Sequence, residues 1–306
     1  MTSVLAELGK SLATRWLAGV LPTGLIYLAA VAVGISLGHA HWYDIPVAVH
    51  RTDGWAATTR DHPVAEGLAV AAAVALAAVG AGLLVQALGT VVDQLWSGPW
   101  PRPLHRLGTA LLARRLARWE AVDRQVREAW RREAVSRAGR QNDPAASSLR
   151  EAARLTAERD RICLVRPDRP TWVSDRVRAV DERVHTAYGL DLGAVWPRIW
   201  LLMSADERGE MRSERQAYDT ATRLVAWAVL YLLLGLWWWP SLAVAAVLLA
   251  LGVRRGRAAM DTFCLLVESA VDLHCRGLAA QLGLACEERL PVPLGRRITQ
   301  MLRKDG

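Results

Sequence analysis

Three stretches of this chain, residues 16–38, 67–92 and 224–253, contain no charged side chain, and they limit its fold more than any other feature. They are 23, 26 and 30 residues long. A helix needs about 20 apolar residues to cross the hydrocarbon core of a bilayer. A soluble core helix rarely runs that far without a charge on its wet face. The composition agrees, with 52% hydrophobic residues, 22% charged and a mean hydropathy of +0.14. Such a chain has too much apolar surface to stay disordered. The spacing predicts an all-α polytopic membrane protein with the lipid bilayer as its first partner.

The first stretch exceeds the usual signal-peptide core of about 7–15 residues, so it reads as a retained anchor. The third stretch has Trp237, Trp238, Trp239 and Pro240 at its middle. Proline breaks the helix ladder, and tryptophan prefers the membrane–water interface. Arg223 precedes the stretch, and Arg254, Arg255 and Arg257 follow it. Positive flanks on both sides predict two helices joined at a tip near Pro240, with both ends inside. Each half is short for a span, which leaves a re-entrant hairpin open as the alternative.

Charge counts set the orientation. Residues 39–66 hold Arg51 and Arg60 against Asp44, Asp53, Asp61 and Glu66, whereas residues 93–223 hold 25 arginines against 19 acids. The loop poor in basic residues belongs outside. The expected organisation is an inner N-terminus at 1–15, then a first hairpin at 16–92 with spans 16–38 and 67–92 and outer loop 39–66. A helical inner region follows at 93–222. A second hairpin occupies 223–253, and an inner amphipathic helix and tail occupy 254–306. Trp42, Trp55, Trp237, Trp238 and Trp239 mark the outer interface, and Trp16, Trp96 and Trp100 the inner one.

The inner segments read as helices. Leu104, Leu107, Leu111, Trp119, Val122, Val126 and Trp130 form one apolar stripe, with Glu120/Arg124, Asp123/Arg127 and Glu128/Arg132 opposite at i,i+4. A second helix runs from about Ala145 to Cys163. Arg166-Pro167-Asp168-Arg169-Pro170 breaks the chain. Ser174 is the expected cap of a helix ending at Gly189, and Asp191 the cap of a short one. Ser204 and Glu207 make a capping box, after which one helix is expected to run unbroken to Pro240. Met260, Phe263, Val267, Val271, His274, Leu278 and Leu282 form a last stripe, with Glu268, Asp272 and Arg276 on the wet side.

Few residues point to chemistry. His39, His41, His50 and His62 lie in the outer loop, but without ligand spacing they read as a polar loop. Cys264, Cys275 and Cys286 recur every 11 residues and read as buried small residues. Arg114, Arg115 and Arg118 could meet anionic lipid or nucleic acid, yet acids downstream favour a solvated face and disfavour nucleic acid. Ala30, Gly34 and Gly38 recur every fourth position, as do Ala69, Ala73, Ala77 and Ala81. Small residues at this spacing let helices approach closely, within a chain or between subunits. No P-loop, nucleophile elbow, zinc motif or paired carboxylates occur, so no cofactor, metal or catalytic residue is expected.

Leu21-Pro22-Thr23-Gly24, Tyr188-Gly189-Leu190-Asp191 with Val195-Trp196-Pro197-Arg198-Ile199-Trp200, and Trp237-Trp238-Trp239-Pro240 together resemble a group of bacterial polytopic membrane proteins. The resemblance implies a membrane location and carries no activity or site residues. Thirty-six arginines against two lysines fit a GC-rich bacterial genome. The expected setting is a bacterial inner membrane, crossed several times, with both termini cytoplasmic. The leading expectation is a non-enzymatic protein whose inner region binds a cytoplasmic protein or self-associates. A pore-forming effector lined by Gln86 and Thr90, and a membrane enzyme at the inner lipid face, are the alternatives.

Overall fold

The computed structural model describes residues 21–39, 65–98, 100–138, 144–286 and 289–304. Among these residues every regular element is helical and no strand occurs. The helices are α1 (Leu21–Leu37), α2 (Ala65–Ser97), α3 (His105–Ala138), α4 (Pro144–Ile162), α5 (Trp172–Tyr188), α6 (Leu192–Leu202), α7 (Ala205–Leu234), α8 (Pro240–Gln281) and α9 (Val292–Arg303). Among the described residues, two helical segments contain a stretch long and apolar enough to cross a membrane, Gly67–Ser97 in α2 and Ala205–Leu234, which is α7. The chain divides into two compact units. An apolar unit comprises Met1–Val92 and Asp219–Gly256, and a charged unit comprises Asp93–Tyr218 and Arg257–Gly306.

The apolar unit packs its helices through small residues and aromatic rings. A Cβ on Gly24 would lie 2.3 Å from the Ala78 carbonyl oxygen, so α1 and α2 touch backbone to backbone there. Tyr27 of α1 packs against Trp227 at a tilt of 50° and 5.6 Å, and meets Tyr231 edge-on at 5.3 Å. Near the tip, Gly235 lies against Leu242, and further along Gly252 lies against Ala221 and Val225. These paired positions run α7 and α8 antiparallel within the unit. Gly24→Leu is expected to force α1 off α2 and to destabilise by about 1–3 kcal/mol or more, the usual range for overpacking. Gly80→Leu, on the partner helix α2 but with open space around it, should not lower the melting temperature.

α7 ends earlier than the capping pattern suggests. It stops at Leu234, and residues 235–239 form the turn before Pro240 opens α8. Gly235 opens the turn, and its lack of a side chain leaves the room that Leu242 occupies. Proline then sits at the first helical position, where its missing N–H has no partner to lose.

In the charged unit, α5 through α9 enclose the main core, which includes Leu190, Val195, Ile199, Tyr218, Val271 and Ile298. A smaller core of Val126, Ala129, Ala152 and Leu155 joins α3 to α4. The capping box at α7 is complete: the Ser204 N–H donates to Glu207 at 2.6 Å, and the Glu207 N–H donates to the Ser204 hydroxyl at 3.2 Å. Asp191 caps α6 by accepting the Ala194 N–H at 2.9 Å.

Several expectations are corrected here. The cap of α5 is Thr171, whose hydroxyl accepts the Ser174 N–H at 3.2 Å. Leu107, Leu111 and Trp130 are exposed, while Asp123 and Glu133 are buried on α3. The reason is tertiary: Arg159 of α4 reaches Asp123 at 3.3 Å, and burial follows the partner. Asp123 also pairs with Arg127 as expected, but Glu120 pairs with Arg166 and Arg132 with Glu151. Glu268 is not on a wet face, because it holds Arg176 at 3.2 Å and Arg183 at 3.3 Å.

Candidate functional site

The outer surface of the apolar unit is rich in leucine, valine and isoleucine. Ile26, Ile35, Leu68, Leu76, Leu232 and Val247 all stand open, at 56–72% exposure. Its hydroxyls turn inward to backbone. Ser36 donates to Val33 O at 2.9 Å, Thr90 to Ala87 O at 2.7 Å and Ser241 to Trp238 O at 2.7 Å. Such internal satisfaction is what a solvent without hydrogen-bond partners demands.

The expected packing residues distribute unevenly. Ala30 packs beside Tyr231 and Leu234, and a Cβ on Gly34 would meet Leu234 and Trp238 at 3.2 Å. Gly38 instead ends α1 with a positive φ of 61° and touches nothing. On α2, Ala69, Ala73 and Ala77 are exposed and Ala81 is half-buried. The face of α2 buried within the chain carries Ala78, Gly82, Val85 and Gly89. Of the interface tryptophans, Trp237 and Trp239 are exposed, and Trp238 packs on Tyr231, Leu234 and Ala245. Trp42 and Trp55 lie outside the described residues, as do His41, His50 and His62.

The charged unit is organised around two buried ionic centres that sequence reasoning did not find. Asp175, in the first turn of α5, is fully buried. Its carboxylate accepts the backbone N–H groups of Asp168 and Arg169 at 3.1 and 3.0 Å. Arg115 binds it at 2.8 Å, and Arg178 stands at 3.6 Å. It thereby fixes the proline-rich break between α4 and α5. Arg176, next in sequence, is 3% exposed and forks between Asp261 at 2.6 Å and Glu268 at 3.2 Å. No short-range signal marks either centre, since the partners lie up to 92 residues away.

The Tyr188-Gly189-Leu190-Asp191 segment is a joint between α5, α6 and α9. Gly189 has φ 70°. A Cβ on Gly295 would sit 1.8 Å from the Tyr188 carbonyl oxygen. Leu190 is fully buried, and Asp191 pairs with Arg303. The Tyr188 hydroxyl donates to Asp272 at 2.7 Å, and burial together with that carboxylate pushes its pKa up to about 12.

Several clefts open on this unit. One of about 600 Å³ is lined by Arg178, Asp181, Trp196, Phe263 and Val267. Another of about 470 Å³ is lined by Cys163, Trp172, Arg176, Arg257 and Asp261. Burial pushes the Cys264 thiol up to about 12 and raises those of Cys163 and Cys275. A thiol held protonated is a poor nucleophile. Cys286 lies beyond the end of α8 and is half-buried, so it shares no helix face with Cys264 and Cys275. In the native protein, Cys286 is expected to react with a water-soluble thiol reagent while the other three react only on unfolding. Fast reaction of more than one thiol would contradict the burial. Among the described residues no group of three His, Cys, Asp or Glu side chains could hold a metal ion.

Comparison with protein-family models, curated proteins and solved structures finds no match for this chain.

Proposed function

We propose that this chain is an integral, non-enzymatic protein of a bacterial inner membrane whose charged helical unit faces the cytoplasm and binds a protein partner or a second copy of itself. The observation that carries the reading is the contrast between the two surfaces. The apolar unit exposes aliphatic side chains and contains the three stretches without charge. The ion pairs named above all fall in the charged unit. Only 17% of the most apolar window of Gly67–Ser97 is buried, the reverse of a soluble core helix. The sharp turn at 235–239, the antiparallel α7 and α8, and arginines at both ends support a second full hairpin over a tilted single helix.

The charged unit also carries apolar side chains in the open, among them Leu201 and Leu273 at 75% and 71% exposure. A photo-crosslinking residue at Leu273 of the full-length protein in native membranes tests the binding part of the proposal. A discrete adduct, to a second copy or to one protein, is the expected result. The absence of any adduct from Leu273 and Leu201 would count against partner binding at these positions.

A further inference from the structure

We infer that the open face of the first four turns of α3 is a docking surface for an anionic lipid leaflet. Between Asp93 and Glu120 the chain has no acidic residue and five arginines, Arg102, Arg106, Arg114, Arg115 and Arg118. Positions 107, 111, 114 and 118 follow one another at steps of four, three and four, which sets them on one side of a helix. All four are exposed, with Leu107 at 58% and Leu111 at 40%.

The other side of the same turns is fully used. Gly108 packs on Trp100 and Pro170. Arg115 binds Asp175 and donates to the Arg169 carbonyl at 2.7 Å. The Trp119 indole donates to the Cys163 carbonyl at 3.0 Å. Arg102, Arg106, Arg114 and Arg118 form no ion pair among the described residues. Further along the helix, Arg127, Arg132 and Arg137 each hold a carboxylate. One helix therefore changes character at Glu120, from an acid-free amphipathic start to a remainder in which acids and arginines alternate.

The chemistry of that start selects its occupant. Two leucines beside arginines match the boundary between acyl chains and headgroups, with guanidinium groups on phosphate oxygens. A second copy would set arginine against arginine with no acid between them, which disfavours self-pairing. Nucleic acid would give the leucines nothing to bury against. The candidate span Gly67–Ser97 ends only a few residues before α3 and supplies the tether. The inference rests on the membrane reading proposed above.

Full-length protein carrying Leu111→Cys in a Cys286→Ser background, labelled with an environment-sensitive dye, is reconstituted into nanodiscs. The expected result is blue-shifted emission in a phosphatidylcholine–phosphatidylglycerol mixture and not in phosphatidylcholine alone. The shift should reverse at high salt. Arg114→Gln and Arg118→Gln should each lower the docked-to-free ratio about five-fold, the equivalent of one basic residue at an anionic surface. Both positions are exposed, and unchanged helix content by circular dichroism confirms that the variants fold. Equal emission in both lipid compositions would overturn the inference, as would a shift that persists in lipid-free detergent. Alkaline carbonate extraction separates the two levels. Protein retained in membranes but lacking a lipid-dependent shift overturns this inference alone, whereas protein released by carbonate overturns the membrane reading with it.

Discussion

Asp175→Ala is expected to be among the most damaging single substitutions in the charged unit. The carboxylate is fully buried and serves two backbone N–H groups and two arginines. Removing one partner of a buried ionic centre leaves the others unpaired and costs about 3–5 kcal/mol. For a unit of this size that corresponds to a fall in melting temperature on the order of 10 °C. Asp175→Asn should lose less, because its amide oxygen still accepts the Asp168 and Arg169 N–H groups. Thermal unfolding of the detergent-solubilised protein, followed by tryptophan fluorescence, makes the comparison. An unchanged midpoint for Asp175→Ala would show that the 166–170 segment is held by something else.

Gly295→Val should have a comparable effect by a different route. Even the first carbon of a side chain there would overlap the Tyr188 carbonyl, which is backbone and cannot rotate away. Helix α9 would have to lift, exposing Ile298 and the neighbouring Leu290. Each fully buried aliphatic side chain contributes about 1.5–3 kcal/mol, so undocking should cost several. Hydrogen exchange should show protection lost across residues 292–303 and retained in α8. Gly277→Ala is the contrast. Gly277 has open space around it, so alanine should stabilise α8 by about 0.5–1 kcal/mol through helix propensity. Protection of α9 surviving Gly295→Val would contradict the close approach.

The parts of the fold that sequence made legible are those with short-range causes. Ser204 and Glu207 are three residues apart, and both capping bonds form. Asp191 needs only the next turn to cap α6. The helical class follows from periodicity in the same way. Long-range causes were hidden. Asp175 follows Ser174 in a charged segment with nothing local to mark it as buried, and its partner Arg115 is 60 residues away. Glu268 reads as wet for the same reason, since Arg176 comes from another helix. Gly235 was missed as the end of α7 because its constraint is Leu242, a neighbour only after the turn has formed. The small-residue stripe on α2 and the contact with α1 use different registers. Repeats every fourth position on α2 pick out Ala69, Ala73 and Ala77, while the contact with α1 is made by Ala78 against Gly24. Composition gives the spacing of a face but not its direction.

Sidedness of labelling in intact cells tests the central claim most directly, that the apolar unit crosses the bilayer and leaves the charged unit inside. Trp237→Cys places a thiol in the turn between α7 and α8, at a position 60% exposed, and Leu273→Cys places one on the charged unit at 71% exposure. Both are made with Cys286 replaced by serine and probed with a membrane-impermeant maleimide. The topology proposed above predicts that Trp237→Cys is labelled in intact cells and that Leu273→Cys is labelled only in inside-out vesicles. Labelling of Leu273→Cys from outside, or of Trp237→Cys only after the membrane is opened, would contradict it.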